Sequence, residues 1–293
     1  MRERILADRH PAVNDGSAPL FVVIGAQRTG TNILREILNT NPYIAMLGEV
    51  LSPSPAPAHW DNFCRDLQRC TTLPRNNEEA ELLLDNYFQF VRYRIRNHWE
   101  NDKKRDSRAF GVDIKYNQLS SIEPANWNSS SFPFILGYLR SRGATLVHVT
   151  RNIIHSAISM LVALQRDVWH NYDGAVIDRA YQIDADDCLS WARTIVRHRD
   201  AFLRFSHDCK VVSCPYERLM ENMEQTGSQK EIREGPGPLK SITEALGVPF
   251  SFQKEGRLQK AINVPYSKLL VNFDTFIKRL RDSEFSTLVS TLD

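Results

Sequence analysis

A strand that runs directly into a tight turn and then a helix is the feature that most limits the folds open to this chain. Residues 22–38 read VVIGAQRTGTNILREIL. The apolar run at 20–24 has the length and β-branched composition of a buried strand, and two glycines enclose the turn. Apolar residues then recur at helical spacing up to residue 39, and the Asn41-Pro42 pair that follows predicts the end of the helix. The chain is therefore expected to contain a βα unit with a glycine-bounded turn.

Four further apolar runs have strand length, and they alternate with helical patterns. Continuous apolar strands with intervening helices indicate a parallel sheet covered on both faces. We therefore expect an α/β, single-domain, P-loop-like fold with a central parallel sheet flanked by helices, preceded by an N-terminal extension (1–19), the domain itself spanning 20–293. The expected strands are 20–24, 43–47, 109–115, 144–149 and 210–213, and the expected helices are 31–39, 78–99, 152–165, 186–206, 239–246 and 272–282.

Composition excludes several classes of protein. The 293 residues carry a net charge of only +2, which argues against a nucleic-acid partner, since such surfaces show a clustered basic excess. No window approaches the roughly 20 apolar residues of a membrane span, and residues 1–16 lack the apolar core of a signal peptide, so a cytoplasmic location is expected. The five cysteines contain no C-x-x-C pair, and neither a disulfide framework nor a metal site is expected.

The glycine-bounded turn departs from the usual nucleotide loop. That loop reads Gly-x-x-x-x-Gly-Lys-[Ser/Thr], and its lysine and hydroxyl serve a magnesium-bound triphosphate. Thr31 and Asn32 stand at those two positions here. A less charged anion held without metal, such as a phosphosulfate, fits the remaining donors better. The alternative is a plain turn with no ligand. The predicted contacts are Gly25, Gln27, Arg28, Thr29, Gly30, Thr31 and Asn32.

A second polar segment follows the strand predicted at 144–149. In HVTRNIIHSAIS (148–159), Arg151 stands at the strand end and Ser159 follows eight residues later. Ligands of open α/β sheets bind at that edge, so both side chains are candidates for a second phosphate. A surface arginine and a serine bonded to its own helix are the alternative.

Together these segments resemble the PAPS-dependent sulfotransferase family. In that family an R-x-G-T segment holds the 5′-phosphosulfate, as QRTGT (27–31) would here, and an arginine and serine spaced like Arg151 and Ser159 hold the 3′-phosphate. The likeness is closest to bacterial sulfotransferases of the nodulation-factor type, and it extends over about residues 20–276. It is carried further by GEVL (48–51), YERL (216–219) and VNFDTF (271–276), whereas Ile153 and His155 replace the proline and aspartate of the common second motif.

The resemblance implies a reaction and its partners. A sulfuryl group would pass from PAPS, 3′-phosphoadenosine 5′-phosphosulfate, to a hydroxyl or amine of a small-molecule or carbohydrate acceptor. Adenosine 3′,5′-bisphosphate (PAP) would leave, and no metal would be required. Arg257 would close over the 3′-phosphate, although a solvated charge run explains KEGR (254–257) equally well.

The resemblance also implies the catalytic residues Glu49, Lys115 and Arg28. Lys115 would neutralise charge on the departing oxygen. Asn117 stands where the cytosolic branch of the family has a histidine base, and it would hydrogen-bond the acceptor, orient Lys115 or only cap the strand. Glu49 is then the expected base; a surface carboxylate paired with a cation is the alternative, and His59 is the next candidate base.

Two other functions remain open from the sequence. A P-loop kinase or NTPase would share the turn, but it needs lysine and a hydroxyl at positions 31 and 32. A non-catalytic anion-binding protein with a degenerate site would need neither.

Overall fold

The structure is a computed structural model. It describes residues 19–53, 58–67, 73–98, 107–125, 127, 132–167, 179–225, 232, 234–253 and 264–292. Arg257 and all but the last residue of the predicted extension (1–19) lie outside these ranges.

Five parallel strands form one sheet, which confirms the predicted α/β class. Their order is β2-β3-β1-β4-β5, with β1 in the centre and paired to both β3 and β4. The chain leaves β1 first toward one side of the sheet and later toward the other, and in open α/β sheets ligands bind at the carboxyl ends of the strands where this reversal occurs. The strands are β1 (Leu20–Gly25), β2 (Ile44–Glu49), β3 (Ala109–Lys115), β4 (Thr145–Thr150) and β5 (Lys210–Pro215).

Ten α-helices occur in the described part of the chain. The six expected from periodicity are present, with ends within two residues of those predicted: α1 (Thr31–Thr40), α3 (Asn77–His98), α5 (Ile153–Arg166), α6 (Ala185–Phe205), α8 (Pro238–Leu246) and α10 (Phe273–Arg281). Four were not expected: α2 (Trp60–Asp66), α4 (Phe134–Ser141), α7 (Tyr216–Gln225) and α9 (Tyr266–Leu269).

The unexpected helices are at most ten residues long, so their apolar periodicity is hard to recognise. Tyr216, which follows β5 directly, is the first residue of α7. The described ranges also contain 3₁₀ segments at Tyr116–Gln118 and Ser286–Thr291.

Alternation along the central strands divides the core into two layers. Phe21 and Val23 pack with α1 and α8 on one face of the sheet, whereas Val22 and Ile24 pack with α3 and α4 on the other. A third apolar cluster joins α5 to the first half of α6, α9, α10 and the last 3₁₀ segment. The layers hold the strand ends rigidly, and the polar loops at those ends are supported by them.

Among the helices of the described ranges, none combines the length and the apolar character needed to cross a membrane.

Candidate active site

Four of the predicted site residues meet at the carboxyl edge of the sheet. Gly25, the last residue of β1, is in register with Lys115 at the end of β3, and Glu49 at the end of β2 is in register with Asp113. Arg151 follows directly after β4. Parallel pairing therefore brings the ends of four strands to one edge, as the sequence predicts.

The turn after β1 is built to present backbone amides. Thr29 donates its hydroxyl to the carbonyl of Ala26 at 2.7 Å, which closes the turn on itself. Arg28 and Gly30 both have positive φ, 66° and 91°. Such a φ is uncommon for a non-glycine residue and clusters at functional sites. No side chain caps α1 at Gly30, and the positive end of this helix, directly after the turn, favours an anion.

The ring of Tyr216 packs against the turn at Gly30. A Cβ atom added to Gly30 would overlap Cδ2 and Cε2 of the Tyr216 ring, so the glycine permits close contact. The guanidinium of Arg151 lies over the same ring, with its Cζ 4.7 Å from the centroid. The tyrosine of the YERL segment thus links the two predicted anion-binding segments, a role that the sequence did not reveal.

The two predicted anion-binding segments also contact each other directly. Arg28 donates from Nε to Ser159 Oγ at 3.2 Å, and Arg151 donates from a terminal nitrogen to the Arg28 carbonyl at 2.9 Å. Burial lowers the pKa of Arg28, and the charge of Arg151 lowers it further, while the Glu49 carboxylate opposes both effects. Nε of Arg151 is buried without a hydrogen-bond partner in the described part of the chain.

Lys115 is the centre of a buried polar cluster beside the turn. Its side chain is 2% exposed, and Nζ donates to the hydroxyl of Thr31 and, at 2.6 Å, to Oδ2 of Asp113. Oε1 of Glu49 lies 3.5 Å from the same nitrogen. Gln118 accepts from the Lys115 backbone N–H at 2.9 Å and donates to Glu49 at 3.3 Å.

Two members of this cluster, Asp113 and Gln118, are missing from the residues predicted for the site. Asp113 is fully buried and follows four uncharged residues of β3, and its position two residues before Lys115 on the same face was the available signal. Gln118, not Asn117, accepts the backbone N–H of Lys115, and Asn117 is exposed. A role for Asn117 beside Lys115 or the acceptor stays a prediction.

The second candidate base, His59, lies just before α2. Its Nδ1 is 2.6 Å from the carbonyl of Ser52, and since a carbonyl can only accept, Nδ1 carries the hydrogen. Glu49 is 27% exposed and close to a cation, so its carboxylate is both oriented and open to solvent.

His148 supports the site from the opposite face of the sheet. Its Nε2 lies 2.5 Å from the hydroxyl of Tyr116, and Tyr116 is the residue that follows Lys115 in the chain. Burial, with a smaller contribution from Arg199, lowers the pKa of His148 to about 4, so the ring is neutral at pH 7.

The described ranges contain no group of three or more His, Cys, Asp or Glu side chains that could hold a metal ion.

Comparison with known proteins identifies the family. A sulfotransferase family model matches residues 19–229, and the chain belongs to that family. It is accordingly an enzyme that transfers a sulfuryl group, and members of the family generally take this group from PAPS. No curated protein matches the sequence significantly.

Solved structures similar to the chain include two bacterial sulfotransferases and a GTPase. A sulfotransferase from Alicyclobacillus acidocaldarius is 15% identical, with a TM-score of 0.43 and coverage of 92% of this chain and 98% of that one. A sulfotransferase from Mycobacterium avium is 12% identical, with a TM-score of 0.43 and coverage of 100% and 81%. A GTPase from Pyrococcus abyssi is 10% identical, with a TM-score of 0.24 and coverage of 68% and 91%.

The contact between the turn and Tyr216 leads to a prediction for Gly30→Ala. A side chain there meets both an unfavourable φ and the tyrosine ring, so the variant should lose about 2 to 4 kcal/mol of unfolding free energy in urea. Gly143→Ala is the matched control, because Gly143 has φ 64° but nothing within 4 Å of the added Cβ. It should lose only about 1 kcal/mol. Equal losses in both variants would show that Tyr216 does not fix the turn.

Proposed function

We propose that the sulfuryl donor of this enzyme is PAPS and that the turn after β1 holds its phosphosulfate. The supporting observation is the cation that reaches this turn from β3. The turn lacks the lysine of a nucleotide loop, yet the ammonium of Lys115 bonds to Thr31, the residue at that lysine's position. A positive charge is thus restored beside the anion site, whereas Asn32 does not restore the hydroxyl that would bind magnesium.

The residues present fit the two charged ends of PAPS. The 5′ end would lie on the amides of the turn and the start of α1, near Arg28 and Lys115. The 3′-phosphate would take donors from Arg151 and Ser159, and the buried, unpartnered Nε of Arg151 is a donor of the required kind. The ring of Tyr216 holds the Arg151 guanidinium in place before the ligand arrives.

When bound, PAPS supplies a sulfuryl group that is activated by a phosphate leaving group. Lys115 stabilises the negative charge that grows on the departing oxygen, because its ammonium is nearly inaccessible to water and is held by two hydrogen bonds. Arg28 adds a second fixed positive charge at the turn. Preorganised charges of this kind need no rearrangement during the reaction.

Glu49 accepts the proton of the attacking hydroxyl or amine. The carboxylate is partly exposed, and its contacts at 3.3 Å to Gln118 and 3.5 Å to Lys115 hold it at the edge of the site. An acceptor approaching the sulfuryl group beside Lys115 would find a base within reach. Because GEVL resembles the corresponding segment of bacterial carbohydrate sulfotransferases, a sugar hydroxyl is the first acceptor class to test.

Product analysis tests this function directly. The enzyme is incubated with PAPS and a panel of sugars, hydroxylated natural products and amines, and sulfated products are detected by mass spectrometry. Wild-type enzyme should form PAP and a sulfated product together. PAP formation from PAPS at the same rate with and without every acceptor would contradict acceptor sulfation by the panel, and no PAP formation with any acceptor would contradict PAPS as the donor.

Loss of the arginine after β4 should weaken cofactor binding. Arg151→Ala removes a charge-assisted contact to the 3′-phosphate, so PAP affinity measured by calorimetry should fall by about 1.5 to 3 kcal/mol. Ser159→Ala, which removes one neutral donor, should cost less. Arg142→Ala is the control, because Arg142 pairs with Asp85 before β4 begins, at the opposite edge of the sheet. Unchanged PAP affinity in Arg151→Ala would place the 3′-phosphate elsewhere.

Removal of the proposed base should affect chemistry rather than cofactor binding. Glu49→Gln keeps the shape and hydrogen bonding of the side chain but removes its basicity, so kcat should fall by about 10² to 10⁴ while PAP affinity stays nearly constant. A near-normal kcat at neutral pH would exclude Glu49 as the base, and His59, the next candidate, would then be substituted.

A further inference from the structure

A buried carboxylate next to the catalytic lysine has no part in the chemistry described so far. Asp113 is 0% exposed, and its Oδ2 lies 2.6 Å from the ammonium of Lys115. Its other oxygen, Oδ1, is buried without a hydrogen-bond partner in the part of the chain that the structure describes. Burial of a charge is costly unless the charge is paired, and an ion pair is often replaceable by apolar residues at no loss of stability. Stability alone therefore gives little reason for an aspartate here.

The distances show how the single positive charge is shared. Two carboxylates compete for the Lys115 ammonium, Asp113 at 2.6 Å and Glu49 at 3.5 Å. Only the shorter contact has the length of a charge-assisted hydrogen bond. Asp113 therefore takes the strong interaction, and Glu49 is left with a longer electrostatic contact and a weak bond from Gln118.

Asp113 also supports the backbone beyond Glu49. Its carbonyl accepts the N–H of Val50 at 3.4 Å, and its register partner on β2 is Glu49 itself. The same residue thus fixes both the ammonium and the strand end that carries the proposed base. Asp113 lies two residues before Lys115 on β3, so both side chains are on the same face of the sheet. The contact between them therefore does not depend on the flanking loops.

We propose that Asp113 is a positioning residue that binds the Lys115 ammonium and so leaves Glu49 free to accept a proton. This inference rests on the proposed function, in which Glu49 is the base. A glutamate that formed the only ion pair with Lys115 would be a weaker base, because proton uptake would break a buried charge pair. Asp113 forms that pair instead, and it adds a second negative charge that favours proton uptake by its neighbour.

Other charged groups around Glu49 set the background for a test by pH. Lys115 and Asp113 approach from β3, and Arg28 from the turn after β1. Arg35 approaches from α1, since its guanidinium lies against Gly48. Asp113 is the only carboxylate in this set of neighbours, so its removal should make the surroundings of Glu49 more positive.

The test is the pH profile of kcat/KM in Asp113→Asn. Loss of the carboxylate should shift the acidic limb of the profile to lower pH by about 1 unit and lower kcat on the plateau by about three- to tenfold. PAP affinity should be at least that of the wild type, because the Lys115 charge is then less compensated. An unmoved limb, or weakened PAP binding, would overturn the proposal.

Two further variants separate positioning from a general loss of structure. Val112→Ala opens a cavity on the opposite face of the same strand, where Val112 is 0% exposed. It should lower the melting temperature without moving the limb. Asp113→Glu keeps the charge and should leave the limb near its wild-type position while lowering kcat; it also serves if Asp113→Asn does not fold. A limb that shifts in either variant contradicts the proposal.

A double-mutant cycle distinguishes failure of this inference from failure of the proposed function. If Asp113 acts through Glu49, then Asp113→Asn should change kcat by less than about twofold in a Glu49→Gln background. If the Glu49→Gln enzyme stayed active, Glu49 would not be the base, and the proposed function itself would fail at that point. An inactive Glu49→Gln enzyme combined with an unaffected Asp113→Asn enzyme would leave the base in place and reject only the role of Asp113.

Discussion

The pairing of β1 with β3 is the constraint on which the site depends. Register places Gly25 beside Lys115, so a lysine from another strand arrives at the turn that begins α1. Its ammonium bonds to Thr31, at the position where a nucleotide loop carries its own lysine. A shift of one residue in this register would turn Lys115 to the other face of the sheet and remove the cation from the anion site.

The remaining charges are organised around that lysine. Asp113 and Glu49 share its ammonium, while Arg28 is bonded to Ser159 and Arg151 lies over the ring of Tyr216. The result is a site with several cations and one partly exposed carboxylate. Under the proposed function, these cations would stabilise the departing phosphate and the carboxylate would accept a proton.

Much of this arrangement could be predicted from the sequence, and the reasons for the exceptions are physical. Apolar strands, the glycine-bounded turn and strand-end polar residues follow local rules, so the sheet, Arg28 in the turn and Arg151 at a strand end are predictable from the sequence. Lys115 and Glu49 were expected from the family resemblance. Tyr216 contacts Gly30 and Arg151, which are distant from it in the chain, and such contacts leave no local pattern. Asp113 was missed although its spacing of two residues from Lys115 is a local signal. Gln118 was missed because its neighbour Asn117 occupies the position of a familiar histidine. Arg257 stays a prediction, since it lies outside the described residues.

Binding of PAP with and without EDTA tests the central claim most directly. If fixed protein cations hold the nucleotide, PAP should stabilise the enzyme in a thermal-shift assay by the same amount in the presence and absence of the chelator, and more than ATP with magnesium does. No shift at saturating PAP, or a shift that EDTA abolishes, would contradict the account of a metal-free site built on Lys115 and the turn after β1.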